Sequence, residues 1–175
     1  MIQRVQTLFL LAVSLLMITF LFVPIWKKEI KKNEESISIA ESVDKVVLNA
    51  FKVSYTHTET SGQGIVISKK LGEENTVYIG GIAILSALTA LFSIFQYHNR
   101  LRQIKLGFLN SLLMSAVLGT VFVGIKSGNS LLSESGSEDF MVGFYLPIIA
   151  LLFNLMANRF IRKDEDLVRS VDRIR

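Results

Sequence analysis

Over nearly half of this chain the hydrophobic positions do not alternate with polar ones but run together. Val5 to Trp26, Asn75 to Asn99, Leu106 to Ile125 and Phe140 to Asn158 each lack an ionised side chain. A helix rises about 1.5 Å per residue, so roughly 20 residues cross a hydrocarbon layer of about 30 Å while satisfying their own backbone hydrogen bonds. The pattern predicts four spans, at about 5–26, 77–98, 106–125 and 140–158, within a single membrane domain over residues 1–175. Core helices of a soluble bundle would show a polar face every 3.6 residues, whereas Leu8 to Val23 is apolar all round.

Between the first two runs, in the connection 27–76, the period changes to two. Phe51, Val53, Tyr55 and His57 alternate with Lys52, Ser54, Thr56 and Thr58, turn residues follow at Ser61-Gly62-Gln63-Gly64, and Ile65-Val66-Ile67-Ser68 is a second β-branched run. This predicts a small β-hairpin. A lone hairpin is marginal in water, so it is expected to rest on the outer helix ends. Ile30 to Asp44 reads as a loop or a short helix. The expected fold class is therefore an all-α membrane protein, a four-helix transmembrane bundle with a small β-hairpin in the first outer loop. Beyond Asn158 the charges pair at helical spacing, Arg162 with Asp166 and Glu165 with Arg169, which predicts a tail helix over 159–175.

Composition agrees with the pattern: half of the 175 residues are hydrophobic and the mean hydropathy is +0.45. The net charge of +4 is spread over short connections and a tail that also carry acids, which fits membrane topology better than nucleic acid. Arg100, Arg102 and Lys105, with Arg159, Arg162, Lys163, Arg169, Arg173 and Arg175, place both termini in the cytoplasm by the positive-inside rule. Lys27, Lys28, Lys31 and Lys32 would then lie outside, against the rule, and the inverted topology is the competing reading. The start, Met1-Ile2-Gln3-Arg4 before a long apolar run without a small-x-small site, reads as an uncleaved first span rather than a signal peptide. With no cysteine, disulfides and thiolate chemistry are excluded.

Candidate chemistry is sparse. His57 reads as an exposed strand residue and His98 as an interfacial anchor, as do Trp26, Tyr78 and Tyr97. No ionisable residue lies within a span, as a proton relay would require. The residues thus predict no catalytic, metal or cofactor site and no enzyme. Small residues that let helices approach closely are Ala83 and Ala87, Ser111, Ser115 and Gly119, and Gly143, Ala150 and Ala157, with Asn154 bonding across an interface and Pro147 kinking the last span. Arg100, Arg102 and Lys105 are candidate lipid-headgroup contacts. On the tail, Leu167, Arg169, Val171, Arg173 and Ile174 are candidate partner contacts.

The opening Met1-Ile2-Gln3-Arg4, the loop Asn99-Arg100-Leu101-Arg102-Gln103-Ile104-Lys105-Leu106, and above all the ending Asp164-Glu165-Asp166-Leu167-Val168-Arg169-Ser170-Val171-Asp172-Arg173-Ile174-Arg175 carry a resemblance over the whole chain. With them the protein resembles a bacterial family of four-span inner-membrane proteins known only as a domain of unknown function. The resemblance implies a four-helix membrane domain with a variable first outer loop and a cytoplasmic terminal motif, and it implies no reaction, cofactor or catalytic residue. Four spans with a β-bearing outer loop are also similar in architecture to claudin-like proteins, whose cysteine pair is absent here. The expected function is a non-enzymatic accessory or scaffold subunit of a bacterial inner-membrane assembly, with the charged tail as its cytoplasmic contact. The alternative is a small oligomeric transporter or channel for an uncharged or hydrophobic solute. A lipid enzyme built on His98, Arg100 and Arg102 lacks a carboxylate in that loop. Expected partners are membrane lipid and either a protein or further copies of the chain, and no nucleic acid.

Overall fold

Four helices, α1 (Gln3–Phe20), α2 (Val77–Phe95), α3 (Arg100–Leu131) and α4 (Val142–Asp172), each bury one stripe whose positions recur alternately at three and four residues. In α1 these are Gln6, Leu10, Val13, Met17 and Phe20; in α3 they include Gln103, Gly107, Asn110, Met114, Val117 and Val121; in α4 they are Gly143, Pro147, Ala150, Asn154, Ala157 and Ile161. Such a 3.5-residue repeat keeps one seam turned toward neighbouring helices along its whole length. The computed structural model describes residues 3–33, 41–60, 66–96, 99–132 and 136–172.

The seams of α2, α3 and α4 are rich in small or polar residues and many bulky apolar residues point away, whereas α1 buries Leu10, Val13, Met17 and Phe20. On α2, Ala83, Ser86, Ala87, Ala90 and Ser93 are buried while Leu85, Leu88, Phe92 and Phe95 are exposed. On α3, Gly107 and Asn110 are buried while Phe108 and Leu112 are exposed. A protein surrounded by water would reverse this distribution. Three helical stretches, Val77–Phe95, Arg100–Leu131 and Val142–Val168, are long and apolar enough to cross a membrane, which marks a membrane protein. The apolar part of α1, Val5–Phe20, is shorter. At 32 residues, α3 is about 48 Å long and outruns a hydrocarbon layer of about 30 Å.

That extra length lies beneath a sheet. Strands β1 (Trp26–Asn33), β2 (Glu41–Leu48), β3 (Lys52–Thr60), β4 (Val66–Asn75) and β5 (Ser137–Phe140) form one five-stranded antiparallel sheet in the order β4-β3-β2-β1-β5. The expected all-α fold with a small hairpin is thereby corrected. β3 and β4 pair where the alternation places a hairpin, with the Ser61–Gly64 turn outside the described residues. The stretch expected as a loop or short helix, Ile30 to Asp44, holds the end of β1 and the start of β2, and the α3–α4 connection adds β5.

The period of two was present in β1 but disguised. Trp26, Lys28 and Ile30 are buried, while Lys27 and Glu29 are half-buried and Lys31 is exposed. A lysine at an inward position hides the alternation that would otherwise announce a strand. Register then aligns Trp26 with Leu48 and Leu48 with Val53, a buried apolar row next to the helices. In Ser137-Glu138-Asp139-Phe140 only Phe140 favours a strand, and the segment pairs because β1 offers an open edge.

Backbone hydrogen bonds weld sheet to bundle. Ile25 N–H donates to Leu48 O (2.9 Å), Met141 N–H to Ile25 O (3.0 Å), Thr76 N–H to Phe51 O (2.9 Å) and Gly80 N–H to Ala50 O (2.9 Å). The β2–β3 turn thus occupies orphan donors of the first turn of α2. Trp26, expected as an interfacial anchor, is fully buried against α3, where a Cβ on Gly128 would lie 2.8 Å from its ring. The first apolar run accordingly ends as helix at Phe20 and continues through a turn into β1. The sheet occupies one end of the bundle. The start of α1, the α2–α3 connection and the end of α4 lie at the other.

Candidate functional site

Polar clusters stand out from the apolar framework in three places, inside the bundle and at each of its ends. The interior cluster is a directional chain of uncharged groups. Ser86 Oγ donates to Asn110 Oδ1 (2.7 Å) and Asn110 Nδ2 to Asn154 Oδ1 (3.5 Å). Asn154 Nδ2 donates to Gly107 O (2.7 Å) and Ser111 Oγ (2.8 Å), and Ser111 Oγ to Gly107 O (3.1 Å). Nearer the sheet-distal end, Gln103 Nε2 donates to Ser93 O (3.1 Å). The cluster ties α2, α3 and α4 together, and none of its members changes charge in an accessible pH range. Its chemistry is that of interhelical attachment.

At the sheet end the clusters are ionic. Lys28, 6% exposed, donates from Nζ to Asn129 Oδ1 (3.1 Å) and Leu132 O (3.2 Å) and lies 3.5 Å from Glu138 Oε1. It fastens β1 to the last turn of α3 and to β5. On the outer face Glu29 meets Lys45 (3.2 Å) and Lys27 (3.6 Å), Lys27 meets Asp139 (3.4 Å), and Glu73 meets Lys52 (3.0 Å) and Lys70 (2.5 Å). The hydrogen bond from Lys45 holds the Glu29 carboxyl below the usual carboxylate range, with partial burial opposing it and the Lys45 and Lys27 charges assisting. Hydrogen bonds from Lys70 and then Lys52 lower Glu73 likewise. His57 Nδ1 abuts Asp44 Oδ1 across β3 and β2. His57 is thus half-buried and paired rather than an exposed strand residue.

At the opposite end, Arg100 Nη2 lies 3.1 Å from Asp164 Oδ2 and its Nη1 donates to Asp164 O (2.9 Å). This two-point grip fixes where α4 leaves the bundle. Beyond it Asp166, Leu167, Val168 and Ser170 are exposed on a helix that continues to Asp172.

The residues singled out in the sequence separate into several environments. Ala83, Ala87, Gly143, Ala150, Asn154 and Ala157 are buried at helix contacts, Ser111 is half-buried, and Ser115 and Gly119 are exposed. No atom lies within 4 Å of a Cβ built on Gly119, so the lower part of that ladder faces away from the other helices. α4 runs as helix through the buried Pro147. Arg102 and Lys105 are exposed, whereas Arg100 is occupied by Asp164. Leu167 is exposed. Tyr97, His98, Arg173 and Ile174, and the side chains of Arg169 and Val171, lie outside the described residues.

Sequence reasoning missed Asn110, Lys28 and the Asp44–His57 pair. For Asn110 a signal existed, since it continues the spacing Gln103, Gly107, Asn110, Met114, the seam of α3. Lys28 and Asp44 carried none, because their inward orientation follows from the strand register. Among the described residues no group of three or more His, Cys, Asp or Glu side chains could hold a metal ion.

Residues 2–174 match the family described as Domain of unknown function (DUF4293), and the chain belongs to it. No curated protein matches the chain.

Proposed function

We propose, with that membership as the premise, that this protein is a non-enzymatic accessory or scaffold subunit of a bacterial inner-membrane assembly, with four spans, both termini cytoplasmic and the sheet outside. The observation that carries the proposal is the course of α4. It continues without a break from its apolar stretch to Asp172, is gripped at Asp164 by Arg100, and past that grip presents Leu167 and Val168, 48% and 42% exposed. A helix held at its base that exposes apolar residues among charged ones beyond it suits docking of a cytoplasmic protein. The orientation is supported by the basic residues of the sheet-distal end, Arg100, Arg102, Lys105, Arg159, Arg162 and Lys163. The opposing lysines Lys27 and Lys28 have structural work in the sheet, where acids face them.

The test is purification from native membranes in mild detergent, comparing the intact chain with one truncated after Asp166, which keeps the Arg100–Asp164 grip. A stoichiometric protein partner present with the intact chain and lost on truncation is the expected result. Self-association alone, unchanged by truncation, would overturn the tail contact.

One observation favours the second reading, an oligomeric transporter or channel for an uncharged or hydrophobic solute: Ser115 and Gly119 lie on the outer face of α3 with space beside them. It predicts that Gly119→Leu dissociates oligomers and abolishes solute flux in reconstituted vesicles. Vesicles that stay tight at high protein loading would count against it.

A further inference from the structure

Near the sheet-distal end of the bundle, α3 and α4 leave a cleft of about 320 Å³ lined by Phe108, Ser111, Leu155, Asn158, Arg159 and Arg162. Its two halves differ in chemistry. Phe108 and Leu155 are exposed apolar residues, within stretches suited to lipid. Arg159 and Arg162 are the first cations after the uncharged run that ends at Asn158, which sets them at the level of lipid headgroups. Arg100 is paired with Asp164, whereas among the described residues neither Arg159 nor Arg162 has an ion-pair partner. Asn158 closes the base of the cleft: its Oδ1 is buried against α3, in space left by Gly107, where a Cβ would fall 1.8 Å from it.

We infer that this cleft seats an anionic phospholipid of the surrounding bilayer. Its phosphate lies between the two guanidinium groups, which are suited to bidentate phosphate contact. An acyl chain runs along Phe108 and Leu155. The required ligand combines net negative charge and an apolar tail, a set found in phosphatidylglycerol and not in the zwitterionic phosphatidylcholine. The inference rests on α3 and α4 lying in a membrane and is independent of any protein docking on the tail.

The full chain would be reconstituted in nanodiscs of equal phosphatidylglycerol and phosphatidylcholine, released, and the retained lipid counted by native mass spectrometry. One phosphatidylglycerol retained per chain in preference to phosphatidylcholine is expected. In the Arg159→Gln/Arg162→Gln variant that preference falls about 30-fold, roughly fivefold for each arginine. Leu155→Trp, which fills the apolar half and leaves both charges, lowers retention as well. Arg102→Gln/Lys105→Gln, which removes two cations from the same end outside the cleft, leaves it unchanged. Equal retention of both lipids, or an equal loss in the Arg102/Lys105 variant, would overturn the site, the latter by assigning the preference to general surface charge. Loss of retention in inorganic phosphate at constant ionic strength would identify a free-anion site and overturn the lipid assignment.

Discussion

The bundle and the sheet solve opposite problems with the same chain. In the bundle, small and uncharged polar side chains are turned inward beside a few large ones such as Met17, Phe20 and Met114, while many Leu, Phe and Ile are turned outward; in the sheet the outer face carries Lys–Glu pairs, and the inner face buries Trp26, Leu48 and Val53 beside a lysine. The difference follows from the surroundings. Where lipid replaces water, apolar burial between helices yields little, so close approach and interhelical hydrogen bonds hold the seam. Where water returns, the sheet is held by apolar burial and needs charges on its open face and edges.

The comparison breaks most visibly at Trp26, where sheet and bundle share one side chain. Trp26→Ala removes a fully buried ring whose Nε1 has no partner to lose, so the cost is cavity and transfer alone, about 3–5 kcal/mol. Hydrogen exchange should show residues 41–75 losing protection while α2 and α4 keep theirs. If protection fell equally in both regions, they would be one cooperative unit.

Next in size is a pair of substitutions on one helix. Gly128→Val drives a Cβ to 2.8 Å from the Trp26 ring, whereas Gly119→Val enters open space. The first should lower stability by about 1–3 kcal/mol and the second by less than about 0.5 kcal/mol, read as thermal midpoints of the purified chain. A smaller effect is expected at Asn154→Leu, which removes the donor to Gly107 O and Ser111 Oγ and the long acceptor of Asn110 Nδ2. Membrane hydrogen bonds average about 0.6 kcal/mol with a maximum near about 1.7 kcal/mol, and steric-trap unfolding in bicelles can resolve that range.

Acidification separates the regions with the least perturbation. Glu29 and Glu73 are both held below the usual carboxylate value of 4.5 by neighbouring lysines. A lowered folded-state value means stabilisation that is complete above the unfolded value and is lost as pH falls through the folded one. Proteolysis of the sheet should therefore accelerate as pH drops from about 5 to about 3, with helicity of the bundle unchanged. A sheet equally protected at both ends of that window would show that these pairs add nothing measurable.

Legibility in the sequence followed the same division. The uncharged runs announced the helices because lipid demands long apolar stretches of any spanning helix, and the 47–68 alternation marked where β3 and β4 pair. The other three strands were hidden for a physical reason. β1 turns Lys28 inward, β2 turns Asp44 inward, and β5 has four exposed residues of which only Phe140 favours a strand. Each is a strand by virtue of its neighbours. The small-residue stripes likewise gave spacing without direction: Ala150 and Ala157 are buried, while Ser115 and Gly119 of an equally regular ladder face outward.

By itself the sequence determined where the chain can enter lipid, which segments cannot, and the charge of its ends, because those depend on composition over about 20 residues at a time. Only the tertiary structure decided that the α1–α2 and α3–α4 connections form one sheet, that Trp26 and Lys28 point into it, that Arg100 grips Asp164, and that Arg159 and Arg162 share a cleft. Those facts depend on which residues distant in sequence become neighbours, and strand register and helix packing fix that together, not any local run of residues.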